Sequence, residues 1–146
     1  MLAVMTVESQ RDFRASMQCL PDAAAFIESF CRGQGISSND TLRLTLVIEE
    51  LFTNAVHHGH GGDSDAPIRL TLNASPSEID VVYEDTAPAF DPTARVAQSE
   101  AEFEADLDKR RVGGLGVVLV GQMARSFKYT REGGLNRLRL VLPRQR

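Results

Sequence analysis

Residues 40–59 read DTLRLTLVIEELFTNAVHHG, and this stretch decides the fold. Leu44, Val47, Ile48, Leu51, Phe52 and Ala55 recur at three- and four-residue intervals, which is the spacing of one helical face. The chain here is a long amphipathic helix with a single buried stripe. Ser37-Ser38-Asn39-Asp40 opens it with side chains that cap well, and Gly59 closes it. Upstream, Pro21-Asp22 starts a second helix with Ala24, Phe26, Ile27 and Phe30 on its apolar side, ended by Gly33 and Gly35. A weakly alternating strand over 2–7 precedes it, with further extended chain over 13–17. Downstream of the loop at 61–67, strands over 68–74 and 79–85 flank the turn Ser75-Pro76-Ser77. A helix over 115–124 leads to strands over 126–131 and 135–142, joined at Glu132-Gly133-Gly134. This order predicts an α/β (α+β) two-layer sandwich, a mixed sheet with helices on one face. The segment 86–113 is too polar for core and too long for an ordinary connection, which marks a functional loop or lid.

The chain has 146 residues, 42% hydrophobic and 25% charged, with a net charge of −4. It forms one domain over 1–146, since a chain of this size buries about 68–70% of its unfolded surface around a single core. That composition excludes a disordered, collagen-like or disulfide-built protein. Its apolar runs fall short of the roughly 18 residues that cross a bilayer, and the first ten residues lack the pattern of a signal peptide. The expectation is a cytoplasmic protein with no membrane contact. Cys19 and Cys31 then read as reduced thiols packed as small hydrophobes. Acids fall at alternate positions from 100 to 108, followed by Lys109, Arg110 and Arg111. After Gly121 there are seven bases and one acid, but Arg137 and Arg139 alternate with Leu138, Leu140 and Leu142 as the outward face of a strand would. Without an aromatic platform this reads as a solvated strand face, with no direct nucleic-acid role.

Three segments carry chemistry. In Glu49-Glu50-Leu51-Phe52-Thr53-Asn54-Ala55-Val56-His57-His58-Gly59, Glu50 and Asn54 project from one helix face a turn apart, edging the buried stripe. Asn is a poor helix-interior residue unless something rewards it. The pair offers a carboxylate able to take a proton and an amide oxygen able to coordinate a hard cation such as Mg2+. His57 and His58 are adjacent rather than one turn apart, so they read as helix-end residues, not metal ligands. In Val81-Val82-Tyr83-Glu84-Asp85-Thr86-Ala87-Pro88-Ala89-Phe90-Asp91-Pro92 an apolar strand delivers Asp85 into a turn. That carboxylate either caps the turn or accepts from an exocyclic amino group, which adenine offers and guanine does not. In Gly113-Gly114-Leu115-Gly116-Val117 the glycines before an apolar helix let backbone N–H groups approach an anion, or serve as a hinge. No Lys-Ser/Thr follows as in a Walker loop, and no strand closely precedes as in a dinucleotide fingerprint.

In this order the three segments resemble the nucleotide-binding boxes of the GHKL ATPases, the superfamily of gyrase, chaperone, histidine-kinase and mismatch-repair ATP-binding domains. The Glu-x-x-x-Asn-Ala-x-x-His-Gly and Asp-x-x-x-x-Phe-Asp-Pro forms are most similar to stand-alone anti-sigma-factor serine/threonine kinases of the RsbW and SpoIIAB type. The resemblance implies the Bergerat ATP-binding fold. It implies Glu50 as catalytic base, Asn54 as the Mg2+ ligand, Asp85 as the adenine-recognising carboxylate and Phe90 as part of that box. It also implies Gly114, Leu115 and Gly116 at the phosphates, an ATP lid at about 93–113, and Arg111 or Arg110 near the terminal phosphate. The implied activity is transfer of the terminal phosphate of Mg-ATP to a Ser or Thr of a STAS-type antagonist, together with sequestration of a sigma factor. Family members are often homodimers. The family usually has Gly where this chain has Ala87, a methyl that narrows the adenine pocket and removes easy access to positive φ. The alternative that Ala87 and the acidic lid favour is a nucleotide-gated adaptor with little or no kinase activity. A histidine-kinase catalytic domain fits less well, because both candidate acceptor histidines lie inside the first box.

Overall fold

The computed structural model describes residues 7–90 and 124–145. Five strands form one sheet in the order β1-β2-β3-β5-β4: β1 (Val7–Arg14), β2 (Pro67–Ala74), β3 (Glu78–Asp85), β4 (Ser126–Glu132) and β5 (Leu135–Pro143). Two helices, α1 (Leu20–Gly33) and α2 (Ser38–Asn54), join β1 to β2. The expected α+β two-layer sandwich is thus observed. One detail is corrected: the four pairings among described strands are all antiparallel, where a mixed sheet was expected. The reason is the pair of helices. A single crossover helix carries the chain to the far end of the sheet and yields a parallel neighbour. Here α1 leads away and α2 leads back, so β2 starts beside the end of β1, with Pro67 opposite Arg14.

Alternation makes the inner face. Ile68, Leu70, Leu72 and Ala74 on β2, Ile79, Val81 and Tyr83 on β3, and Leu138, Leu140 and Leu142 on β5 are all buried. Against them pack Ala23, Ile27, Phe30 and Cys31 of α1 and Leu44, Val47, Ile48, Leu51 and Phe52 of α2. Ser37 caps α2 as its position suggested, its hydroxyl accepting from the Asp40 N–H at 3.1 Å. Gly133 and Gly134, both at positive φ, make the tight β4–β5 turn. Both cysteines are free and buried, as expected of packed thiols. Burial pushes the Cys31 thiol up from its ordinary value, which keeps it protonated.

A strand lies over Val7–Arg14, where only extended chain over 13–17 was expected, and the expected strand over 2–7 falls, apart from Val7, outside the described residues. This β1 is an edge strand whose described residues are mostly exposed, with Phe13 its buried anchor, so apolar alternation does not reveal it. The outward face explains the basic run near the end of the chain. Arg125, Arg137 and Arg139 pair with Glu78, Glu84 and Asp80 of β3, which balances three of that run's seven bases on the sheet itself. No helix among the described residues is long and apolar enough to cross a membrane. The expected helix over 115–124 and the lid at about 93–113 lie almost wholly outside the described residues.

Candidate nucleotide site

Asp85 ends the central strand and is 6% exposed. Taking a carboxylate out of water is costly unless donors replace the lost solvent. Three do so. Tyr83 Oη donates to Oδ2 at 2.7 Å, while the Ala87 N–H at 3.1 Å and Asn136 Nδ2 at 2.8 Å donate to Oδ1. Of the two sequence readings of Asp85, the turn-capping one is seen directly in the Ala87 N–H bond. A carboxylate offers about four lone-pair positions. The donors among the described residues take three of these, which leaves one position on Oδ2 open to a donor from outside them.

The register explains how the donors arrive. Asp85 stands opposite Asn136 on β5, and Asn136 stands opposite Arg131 on β4, so the three form one lateral row across the sheet. Asn136 is 6% exposed and fully engaged. Its Nδ2 reaches Asp85 Oδ1, the Ala87 carbonyl oxygen at 2.9 Å and that of Pro88 at 3.2 Å. Its Oδ1 accepts from the Tyr129 hydroxyl and from Arg131 Nη1, the latter at 2.8 Å. The same Arg131 Nη1 donates to the Ala87 carbonyl oxygen at 2.8 Å. Sequence reasoning missed this cluster. Its signal was present in the alternation Asn136, Leu138, Leu140, Leu142, which places an amide at an inward position of an apolar strand.

The first segment lies alongside. Glu50 and Asn54 sit half-buried near the C-terminal end of α2, flanking the apolar stripe as expected. Asn54 is the last α-helical residue. From Ala55 to Gly59 the chain widens into a π-turn, a local insertion that frequently accompanies functional positions. His57 and His58 lie exposed on that turn, and no group of three or more metal-ligating side chains occurs among the described residues. Two close approaches tie α2 and its π-turn to β3 and the turn that follows it. The Leu51 carbonyl oxygen is 3.3 Å from Tyr83 Oη. A methyl group built on Gly59 would lie 2.6 Å from the Ala87 methyl, so Gly59 supplies the space that Ala87 occupies. Ala87 takes no positive φ and is buried, and its extra methyl is absorbed by the glycine that closes the first segment. Phe90 is half-exposed beyond the turn. Arg111, Gly114, Leu115 and Gly116 lie outside the described residues.

An α+β sandwich with a donor-lined carboxylate at the end of its central strand, fastened to a helix that ends in Glu-x-x-x-Asn, defines a nucleotide-binding domain of the Bergerat kind. The model of the histidine kinase-like ATPase domain family matches residues 13–142, and the chain belongs to that family. Among curated proteins, the serine/threonine-protein kinase BtrW of Bordetella bronchiseptica is 29% identical over 120 residues, 82% of each chain. The serine-protein kinase RsbW of Listeria innocua is 26% identical over 94 residues, 64% of this chain and 60% of that protein. In a crystal structure of the RsbU and RsbW domains of Rv1364c from Mycobacterium tuberculosis, the match has a TM-score of 0.64 at 14% identity. It covers 96% of this chain and 33% of that one, and so shows the shared fold. The resemblance to RsbW-type kinases is thereby borne out, and both curated relatives bear the names of protein kinases.

Two stability measurements test this geometry. Gly59→Ala should cost about 1–3 kcal/mol by overpacking, with much of the loss recovered in a Gly59→Ala, Ala87→Gly double variant; simple additivity in urea unfolding would separate the two positions. Tyr83 has its pKa raised well above its ordinary 10.0, first by burial and then by the charge and hydrogen bond of Asp85. A raised folded pKa gives stability that is intact below about pH 10 and lost as pH climbs toward the folded value. Unfolding free energy should therefore fall more steeply above pH 10 in the native chain than in Tyr83→Phe, and equal slopes would place the hydroxyl in water.

Proposed function

We propose that the protein is a Mg-ATP-dependent serine/threonine kinase of the anti-sigma type, phosphorylating a STAS-like antagonist and holding a sigma factor when unphosphorylated antagonist is absent. The observation that carries this reading is the Asp85 carboxylate, desolvated and bonded by three donors among the described residues, which between them leave one accepting position on Oδ2. Such a group suits one N–H of an adenine amino group, and it repels the guanine carbonyl. ATP binding itself follows from family membership.

Magnesium fits the donor set. It takes hard oxygen ligands and is usually held through one or two protein groups, with phosphate oxygens and waters completing the shell. Asn54, half-buried at the end of α2, offers an amide oxygen of that type. The metal, when bound, neutralises charge on the phosphates. One turn earlier on the same helix, Glu50 would orient the incoming hydroxyl and receive its proton. Gly114, Leu115 and Gly116 would cradle the phosphates through backbone N–H groups, and Arg111 or Arg110 would approach the terminal one. On this reading residues 1–146 form one domain with its lid at about 93–113, acting in the cytoplasm and pairing as a homodimer. The names of BtrW and RsbW as serine or serine/threonine kinases support a hydroxyl acceptor over a histidine.

Incubation with γ-labelled ATP and a candidate STAS protein should give acid-stable label on Ser or Thr. Glu50→Gln should lower transfer by about 100-fold or more while leaving nucleotide affinity within about threefold. Asp85→Asn should weaken ADP binding by about 10-fold or more in calorimetry. Partner binding that responds to nucleotide without any label transfer would replace the kinase reading by the adaptor.

A further inference from the structure

Asn136 belongs to none of the three sequence segments, yet it reaches Asp85, Ala87 and Pro88 of the turn. It donates to the carboxylate and to the carbonyl oxygens of Ala87 and Pro88. An amide placed this way can be read in two orientations, and only one is compatible with its neighbours. Its oxygen accepts from two donors, Tyr129 Oη and Arg131 Nη1, so its nitrogen must face Asp85. Arg131 closes the arrangement by donating to Ala87 O as well.

We propose that Asn136, held in orientation by Arg131 and Tyr129, is a positioning residue that makes the enzyme specific for an amino-bearing purine. Its effect runs through Asp85. By donating to Oδ1 from the neighbouring strand, it keeps the carboxylate an acceptor and fixes the direction of the Oδ2 lone pair that the described donors leave open. By gripping the Ala87 and Pro88 carbonyls, it fixes the turn whose own N–H shares that oxygen. The inference rests on the reading of Asp85 as the adenine-binding group and adds the residues that give that group its direction.

The test compares Mg-ADP with Mg-IDP, inosine diphosphate, which carries a carbonyl where ADP carries the amino group. Calorimetry would be run on the full chain and on Asn136→Asp, Arg131→Met and Asp85→Asn. Asn136→Asp keeps the size of the side chain and turns a donor into an acceptor against Asp85. ADP affinity should fall by about 10- to 100-fold, the range of one hydrogen bond to a charged group, while IDP affinity moves by less than about threefold. Arg131 is exposed, so Arg131→Met should leave the fold intact and still cost several-fold in ADP binding with IDP unchanged. A merely structural role would lower both affinities together, and that outcome overturns the proposal. So does unaltered ADP-over-IDP preference in both variants while Asp85→Asn abolishes it; in that case the adenine reading survives and the positioning role does not. A native chain that binds ADP and IDP equally would remove the adenine reading and this inference with it.

Discussion

A carboxylate cannot be buried without donors, and much of this structure is arranged around supplying them to Asp85. The three donors come from different levels of organisation: Tyr83 from the same strand two residues back, Ala87 from the following turn, Asn136 from the adjacent strand. The side chain of Tyr83 rests on the apolar floor between sheet and α2, where burial and the neighbouring charge both hold its hydroxyl protonated. It is thus a fixed donor at ordinary pH. Removing any one donor leaves a desolvated charge short of partners, so the turn after β3 is held by the chemistry of its own last strand residue.

The position of this cluster follows from strand alternation. Every inner position of β5 beyond Asn136 is leucine, and the inner positions of β3 before Tyr83 are isoleucine and valine. The polar groups are therefore confined to one end of an otherwise apolar layer, the end to which α2 delivers Asn54 and the π-turn. Apolar rows hold the two layers together, and the terminal rows are free to carry chemistry. The outer face obeys a different rule: acids of β3 pair with arginines of β5 and of the segment before β4, contacts of small individual worth that keep the face hydrated and leave the inner face to set the register.

Much of this was legible in the sequence, and for physical reasons. The 3.6-residue period of the stripe from Leu44 to Ala55 is preserved because a helix against a sheet must bury one side, and β2, β3 and β5 kept their period of two for the same reason. The strand over Val7–Arg14 was not foreseen because an edge strand needs few apolar anchors, and Phe13 alone does not make a pattern. The all-antiparallel sheet was missed because strand direction depends on two helices returning the chain to its start, which no local periodicity records. Glu50, Asn54 and Asp85 were singled out through the spacing of their segments. Asn136 was not, because its partner is 51 residues distant in sequence and is brought to it by the pairing of β3 with β5.

A nucleotide has a fixed length between base and phosphates, so a protein that grips both ends must fix the separation of its own two grips. Under the proposed function the base end is Asp85 on β3 and the metal end is Asn54 on α2, elements with the second layer boundary between them. The contacts at that boundary are short and chemically distinct: the tyrosine hydroxyl near the Leu51 carbonyl, and the Ala87 methyl seated where Gly59 has no side chain. Ala87 in place of the glycine common in this family does not by itself loosen the site, since the methyl fills space against the end of the first segment. Close packing transmits position because it tolerates little displacement. The pair Gly59 and Ala87 can thus be understood as the gauge between base and phosphate chemistry, one residue contributed by each segment.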